Sequence, residues 1–402
     1  MSSSTSTKKG KLQNKLNEFS KELITLDKTL PNNVAEMRQL VFERASEALQ
    51  AHKLYELIKY EADLGKKKDN PNIDLESLTI IDYSIKILRL AQEKRTESYK
   101  THDVQVSKNV IDHGAVLFVS GSSSRTKKSS TNKNQGIVLE KSDNGKKILT
   151  YENSSGRLVT LFDTRVFLGL HKIWELRGKQ KKVTFTLHEL CETVNIGTTG
   201  KDYANVKESL SVLYDTSVVM RNYYIKNKNQ RIETTKFHLI QGENKVELKS
   251  GENVYAVEQT IVFSDYLQLS LMEGYVSFIS LALLEDLQSA TAQAIYLKLC
   301  GESLNDAGRY EFNVDQLAEI IGLSSNNTKS RNRQLIKQAL AELETIKILK
   351  SFYFPPRTDK FIMYPSDWFA TIARKEEANT LTDVDEIPRL IEGILSRSII
   401  QN

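Results

Sequence analysis

Four basic residues stand close together in a segment, residues 326–340, that contains no acidic residue. They are Lys329, Arg331, Arg333 and Lys337. In a helix, Lys329, Arg333 and Lys337 would lie along one face, because each is four residues from the next. Like charges at this spacing destabilise a helix unless an anion faces them. The segment therefore favours the binding of a polyanion such as nucleic acid, and arginine can also form two hydrogen bonds to guanine.

Short polar side chains between these cations suit the same chemistry, since they can bond to base edges and to phosphates. Asn327, Thr328 and Ser330 are therefore further binding candidates. An earlier segment has a similar but weaker pattern, diluted by Asp202 and Glu208, with candidates Thr198, Thr199, Lys201, Asn205 and Lys207. Each segment is followed by a basic turn, which adds Lys226, Lys228 and Arg231 to the earlier set and Arg357 and Lys360 to the later one. The sequence thus predicts two nucleic-acid contacts.

An internal repeat explains why this pattern occurs twice. Residues 164–190 are weakly similar to residues 291–317, and each copy predicts a helix, a short strand and a second helix. Thr186 with Glu189, and Asn313 with Gln316, have the spacing of a capping box, in which the first side chain accepts a hydrogen bond from a backbone amide of the first helical turn. We therefore expect a helix to begin at the same place in each copy.

A third helix and a hairpin complete each copy. The predicted hairpin strands are 217–225 with 235–240 in the first copy, and 346–354 with 360–364 in the second. Helix, strand, helix, turn, helix and hairpin is the order of a winged helix, a variant of the helix-turn-helix. In that fold the last helix enters the major groove and the hairpin, or wing, touches the DNA backbone. The polar segments are then the recognition helices, and the basic turns are the wings.

The predicted fold is helix-rich α+β, with two tandem winged-helix domains preceded by an N-terminal helical region. The predicted boundaries are 1–100 for the helical region, 101–136 for a flexible linker, 137–270 and 271–372 for the winged-helix domains, and 373–402 for a tail with an amphipathic helix. The linker follows from an acid-free stretch of Ser, Lys, Asn and Gly that cannot form a core.

Within the N-terminal region, helices are expected at 12–30 and 34–64, followed by a helical or mixed segment at 73–98. This region either packs on the rest of the chain or serves as an interaction arm. The amphipathic helix of the tail begins at Pro388, and it either packs on its own core or contacts a partner.

Composition sets softer limits on function. The chain has 402 residues and a net charge of only +5, so its basic character must be local to matter. No run of eighteen apolar residues occurs, and the start of the chain does not have the pattern of a signal peptide. Cys191 and Cys300 both fall on apolar helix faces, which indicates buried free thiols in a reducing compartment. We therefore expect a cytoplasmic protein with no membrane partner.

Residues for catalysis are not arranged in recognisable sites. No two of the six histidines have the spacing of metal ligands on one helix or strand. The segment 121–129 only imitates a phosphate-binding loop, since it lacks the second glycine before Lys-Ser. Tyr223 and Tyr224 could suggest a DNA-nicking tyrosine, but such enzymes also need a metal held by closely spaced histidines. The sequence therefore predicts no enzyme, no cofactor and no metal.

With these features the chain resembles the iteron-binding plasmid replication initiators, which carry two tandem winged-helix domains. The resemblance covers 159–364 and rests on the pattern above together with segments 161–168, 185–190 and 361–364. It implies a protein that binds direct repeats at a plasmid origin as a monomer, opens adjacent AT-rich DNA, and recruits the host replication initiator and helicase. It also implies a monomer–dimer equilibrium in which dimers repress the initiator's own gene. The N-terminal region and the linker depart from the compact members of that family.

Three other functions remain open at this stage. A tandem winged-helix transcription regulator would bind operators without affecting plasmid copy number. A protein-interaction adaptor would use its winged helices for protein contacts and would ignore duplex DNA even at low salt. A nicking or topoisomerase-like enzyme would relax supercoiled DNA with a divalent metal.

Overall fold

The chain divides into two units, residues 1–102 and 103–402. The computed structural model describes residues 3–29, 34–50, 52–101, 103–114, 137–143, 146–154, 156–225, 230–250, 253–323 and 326–373. The elements are numbered along the chain.

The N-terminal unit consists of helices, namely α1 (Ser3–Thr29), α2 (Val34–Leu49), α3 (Leu54–Lys68) and α4 (Leu75–Thr101). Its core is made of leucines, isoleucines and alanines at helical spacing, among them Leu16, Leu23, Ala45, Leu57 and Leu88. The single helix predicted over 34–64 is wrong, because α2 ends at Leu49 and α3 begins at Leu54. Both of these leucines are buried, so the break lets two short helices fold onto one core.

The second unit contains two lobes of similar element order. The first consists of β1 (Asp103–Ser107), α5 (Lys108–Asp112), β2 (Ile137–Asp143), β3 (Lys146–Asn153), α6 (Leu161–Leu176), β4 (Lys182–Thr186), α7 (Leu187–Thr193), α8 (Gly200–Asp215), β5 (Thr216–Ile225), β6 (Gln230–His238), β7 (Ile240–Ser250), β8 (Asn253–Phe263) and α9 (Asp265–Met272). The second consists of β9 (Val276–Ser280), α10 (Leu281–Asp286), α11 (Ala290–Gly301), β10 (Tyr310–Asn313), α12 (Val314–Ile320), α13 (Lys329–Thr345), β11 (Leu349–Tyr353), β12 (Lys360–Pro365) and α14 (Asp367–Ala373). The predicted helix-rich α+β class is confirmed.

The helix starts expected from the repeat are present at the same place in both lobes. Thr186 caps α7 and accepts a hydrogen bond from the amide of Glu189 at 3.1 Å. Asn313 caps α12 and accepts from the amide of Asp315 at 3.1 Å. The carboxylate of Glu189 binds Arg177 instead of closing the box. Both caps are therefore confirmed, and Thr186 has the amide partner that the spacing predicted.

In the first lobe, the hairpin that occupies the position expected of the wing is not the one that the sequence predicted. In the second lobe, the hairpin β11–β12 pairs with the short strand β10 in the order β10-β12-β11. In the first lobe, the short strand β4 joins a sheet of the order β4-β8-β7, in which Val183 pairs with Ile261. The hairpin equivalent to β11–β12 is therefore β7–β8, and the prediction of β5–β6 as the wing is wrong.

The β5–β6 hairpin belongs instead to a four-stranded sheet of order β2-β3-β5-β6. Val218 pairs with Tyr151 of β3 and with Phe237 of β6, and all three side chains are buried. This burial gives β5 an apolar partner on each side. The sheet is an insertion in the first lobe, between elements that the second lobe connects directly.

The two lobes are joined by the antiparallel pair β1–β9, in which Val104 lies opposite Ile279. The prediction of a flexible linker is wrong for its first part, because residues 103–114 form β1, α5 and a turn. Val104 and Val106 are fully buried, so this strand has the apolar surface that a linker lacks. The rest of the predicted linker, 115–136, and the amphipathic helix expected from Pro388 lie outside the described residues.

Candidate nucleic-acid interface

Helix α13 presents a polar face away from the core of the second lobe. Thr328 caps the helix and accepts a hydrogen bond from the amide of Arg331 at 3.2 Å. Its apolar stripe of Ile336, Ala339, Leu340 and Leu343 is buried. Thr328, Lys329, Ser330, Arg331 and Lys337 are exposed, whereas Asn327 and Arg333 are half-buried. The first turns of α13 therefore carry exposed donors and cations, as the sequence predicted.

The cations of α13 are not unopposed, because acids from other elements reach them. The Nζ atom of Lys329 lies 2.8 Å from Oδ2 of Asp315 on α12 and 2.8 Å from Oδ2 of Asp359. Arg333 donates through Nη2 to Oδ1 of Asp359 at 3.0 Å. The hydrogen bond from Lys329 lowers the pKa of Asp359, and that to Asp315 raises the pKa of Lys329. The expectation that these cations need an external anion is therefore wrong for Lys329 and Arg333.

The wing of the second lobe also contacts α13 through an aromatic ring. The guanidinium carbon of Arg333 lies 4.7 Å from the centre of the Phe354 ring, and Nζ of Lys337 lies 5.1 Å from it. Such distances are typical of cation–π interactions. Phe354 packs in turn on Phe361 of β12, with ring centres 4.9 Å apart. The start of the wing turn and the middle of α13 thus form one packed structure.

Arg331 differs from its neighbours on the helix. Its Nη1 atom donates to Oε1 of Gln334 at 2.9 Å, so its side chain lies along the exposed face beside another polar group.

Arg357 is exposed in the turn between β11 and β12 with a left-handed φ of 64°. Lys360 is exposed at the start of β12, with Nζ 4.0 Å from Oε2 of Glu311. Arg357 and Lys360, both predicted in the second wing, therefore lie in the β11–β12 hairpin, which pairs with β10.

Helix α8 is the equivalent element of the first lobe. Thr199 caps it in a complete capping box, since its backbone amide donates to Oδ2 of Asp202 at 3.0 Å and its Oγ1 atom accepts from the amide of Asp202 at 3.4 Å. Glu208 is paired with Arg157. The two acids that dilute the charge of this segment therefore already have partners. The remaining candidates, Thr198, Lys201, Asn205 and Lys207, are all exposed.

The basic turn predicted as the first wing is not at that hairpin. Arg231 is exposed on β6, opposite Tyr224, in the four-stranded sheet. Lys226 and Lys228 lie outside the described residues. The sequence analysis missed β7–β8, although a signal was present: Ser264-Asp265-Tyr266 after β8 has the pattern of Ser366-Asp367-Trp368 after β12. Matching these segments would have aligned β8, rather than β6, with β12.

The groups considered for catalysis are placed differently. Tyr223 is fully buried, and its hydroxyl donates to the backbone oxygen of Tyr266 and contacts Oγ of Ser270 at 2.7 Å. Burial raises the pKa of Tyr223. Both cysteines are buried and free, as predicted. Within the described residues, no group of three His, Cys, Asp or Glu side chains could hold a metal ion.

No helix within the described ranges combines the length and the apolar character needed to cross a bilayer.

Comparison with known proteins gives one family match. A family model described as replication initiator protein A matches residues 127–347, which is more than half of the chain and extends from the four-stranded sheet to the end of α13. No curated protein matches.

Among solved structures, two of RctB domains 2 and 3 are similar to this chain. One, a selenomethionine derivative, has 9% identity and a TM-score of 0.42 and covers 65% of this chain and 99% of its own. The other has 12% identity and a TM-score of 0.41, with coverage of 66% and 99%.

Proposed function

The chain belongs to the replication initiator protein A family, and from this premise we propose that it starts DNA replication by binding double-stranded DNA at a plasmid origin. Each lobe would act as a winged helix that contributes one recognition helix, α8 in the first and α13 in the second. The observation that carries this proposal is the equivalent placement of the two helices. Each follows a capped short helix, and each lobe has a three-stranded sheet of the same order.

The exposed first turns of the recognition helices supply the contacts. In the second lobe, Arg331 has the exposure and the geometry to reach a base edge, where arginine binds guanine with two hydrogen bonds. Lys337, Arg357 and Lys360 are also exposed and suit phosphate contacts. In the first lobe, Asn205 is the candidate for a base, since asparagine can bind adenine in the same two-point manner. Lys201 and Lys207 then hold the backbone.

Two lobes in one chain would lengthen the site without tight binding by either. Once one lobe is bound, the second binds as an intramolecular step at a high effective concentration. The lobes are coupled by the β1–β9 pair and by Lys298 of α11, whose Nζ donates to the backbone oxygen of Asp112 after β1 at 3.3 Å. Such a coupled pair suits repeats of constant length and orientation, which supports direct repeats as the target.

We propose that the remaining steps are those implied by the resemblance to the iteron-binding initiators. A chain bound to several adjacent repeats would strain neighbouring AT-rich DNA and help to open it. The N-terminal unit is the candidate surface for the host replication initiator and helicase, because it is a separate unit with its own core. Dimers of the chain would repress its own gene when the copy number is high.

Footprinting of the full chain on the DNA that flanks its gene tests this proposal. We expect protection of tandem repeats, each about two helical turns long, beside an AT-rich stretch. Deleting the repeats from a plasmid that carries the gene should then abolish its replication. Absence of a sequence-dependent footprint even at low salt would overturn the proposal. A footprint whose deletion changes transcription but not copy number would favour a transcription regulator.

A further inference from the structure

Asp359 occupies an unusual place for an acid, between Lys329 and Arg333, two cations of α13 that the sequence analysis assigns to nucleic-acid binding. Its Oδ2 atom lies 2.8 Å from Nζ of Lys329, and its Oδ1 atom accepts from Nη2 of Arg333 at 3.0 Å. Asp315 adds a second carboxylate, 2.8 Å from the same Lys329 ammonium group. Two carboxylates thus occupy the positions around α13 at which a DNA phosphate would be expected.

The backbone holds Asp359 in this place. The amide of Val314, the first residue of α12, donates to the carbonyl oxygen of Asp359 at 2.8 Å. Asp359 is also the residue before β12, whose first residue Lys360 pairs with Asn313. The carboxylate is therefore attached to a fixed point between the wing and α12, and it cannot swing far from α13.

The ion pairs themselves are weak enough to exchange. The side chains of Lys329 and Asp359 are 41% and 46% exposed, and that of Arg333 is 36% exposed, so water competes for each pair. Pairs of this exposure contribute little to stability. A DNA phosphate can therefore replace the carboxylate on either cation. The carboxylate would then remain nearby, unpaired and close to a polyanion.

We propose that Asp359, assisted by Asp315, competes with DNA phosphates for Lys329 and Arg333 and so weakens binding to DNA of any sequence. This inference rests on the proposed function and concerns the same surface. Backbone contacts supply nearly all of the affinity for non-specific DNA, and a chromosome offers a very large excess of such sites. An acid that opposes those contacts leaves the site dependent on base contacts such as those expected of Arg331. It thereby reduces loss of the protein to non-cognate DNA.

Asp359→Asn tests this inference in the full chain, since asparagine keeps the shape and removes the charge. The probes are a random-sequence duplex of about three helical turns and a duplex selected by the wild-type chain from a random library. We expect Asp359→Asn to bind the random duplex about three- to tenfold more tightly at about 0.1 M salt, with a steeper salt dependence. Asp315→Asn should have a smaller effect, because it releases only Lys329.

The control for net charge is Glu152→Gln, which removes an acid paired with Lys236 on the four-stranded sheet. It should leave the affinity for the random duplex nearly unchanged. A second control adds Asp359→Asn to a variant that carries Lys329→Ala and Arg333→Ala. In this background Asp359→Asn should not increase the affinity for the random duplex, because the cations that Asp359 opposes are absent.

Three outcomes overturn the inference. The first is that Asp359→Asn binds the random duplex no more tightly than the wild type. The second is that Asp359→Asn binds both duplexes more weakly than the wild type, because Asp359 supports the hairpin. The third is that Glu152→Gln increases the affinity for the random duplex as much as Asp359→Asn does. In each of these cases the proposed function stands, since the wild-type chain still selects a sequence. If the wild-type chain selects no sequence and binds no duplex at low salt, the proposed function fails and the inference fails with it.

Discussion

The guanidinium of Arg333 rests on the ring of Phe354, 4.7 Å from its centre, so α13 is packed on the residue that follows β11. Because the same guanidinium also binds Asp359, Arg333 is directed at the protein rather than at a base edge. Arg331, two residues earlier, contacts Gln334 on the exposed face. The two arginines have similar positions in the sequence but different environments, and we propose that Arg331 rather than Arg333 reads a base.

Arg331→Ala should therefore weaken binding to the selected duplex by about 1–3 kcal/mol and relax specificity at one base position. The loss comes from a bidentate base contact that a lysine at this position cannot reproduce. Titration of labelled duplex variants, each changed at one base pair, measures it. Arg89→Ala, which removes an exposed arginine paired with Glu61 in the N-terminal unit, is the matched control and should change nothing. Uniform weakening across all variants would show that Arg331 contacts only phosphate.

Lys207→Ala should act on salt dependence rather than on sequence preference. Lys207 is exposed on α8. Because its ammonium is a compact point charge on a flexible stem, we expect it to contact a phosphate. Losing one such contact should reduce the slope of log affinity against log salt by about 1. Affinity measured at several salt concentrations on selected and random duplexes tests this. A changed base preference would instead make Lys207 a base reader.

Gly169→Ala should destabilise the first lobe. A Cβ atom at Gly169 on α6 would lie 2.3 Å from Cγ1 of Val194 and 3.0 Å from Cδ1 of Leu190, where α6 packs on α7. Valine has few rotamers with which to move aside, and overpacking of this kind costs about 1–3 kcal/mol. Chemical unfolding measures the change. Gly65→Ala on α3, where nothing lies within 4 Å, is the control and should stabilise its helix by about 0.5–1 kcal/mol. Equal effects at the two sites would contradict the packing described for α6.

His171 and Asp112 should change the stability of the second unit in opposite directions as pH decreases. Burial raises the pKa of Asp112 to about 7, which favours the folded state below that pH. His171 should favour the unfolded state between about pH 6.5 and 4. This side chain is fully buried between Phe167 and Phe263; Nδ1 lies 2.9 Å from the oxygen of Phe167, and Nε2 has no hydrogen-bond partner. Burial lowers the pKa of His171 from 6.5 to about 4. Below pH 6.5 the unfolded chain therefore takes up a proton that the folded chain does not, which destabilises the fold. The effect should reach about 3 kcal/mol near pH 4.

His171→Phe should remove this part of the pH dependence, as measured by unfolding at a series of pH values. His238→Asn, which changes an exposed histidine, is the control and should keep it. A difference in stability between the wild type and His171→Phe that is constant between pH 6.5 and 4.5 would contradict the assignment.

Local features of the fold could be predicted because they depend on neighbours in the chain. The side chains of Thr186 and Asn313 cap their helices by accepting hydrogen bonds from backbone amides a few residues later in the chain, so spacing alone identified both starts. The buried stripe of α13 follows from helical periodicity in the same way. The break between α2 and α3 escaped prediction, because no glycine or proline marks it and the burial of Leu49 and Leu54 decides it.

By itself, the sequence determined two copies of a helical module, their caps and the exposed polar starts of α8 and α13. Only the tertiary structure decided which hairpin pairs with β4 and which acids reach Lys329 and Arg333. Strand pairing depends on burial across the sheet, where Val218 finds Tyr151 and Phe237 from distant parts of the chain. The charge of a surface depends in the same way on every element that meets there. Asp315 and Asp359 lie outside the acid-free segment in the sequence, yet both lie within hydrogen-bond distance of its first cation in space.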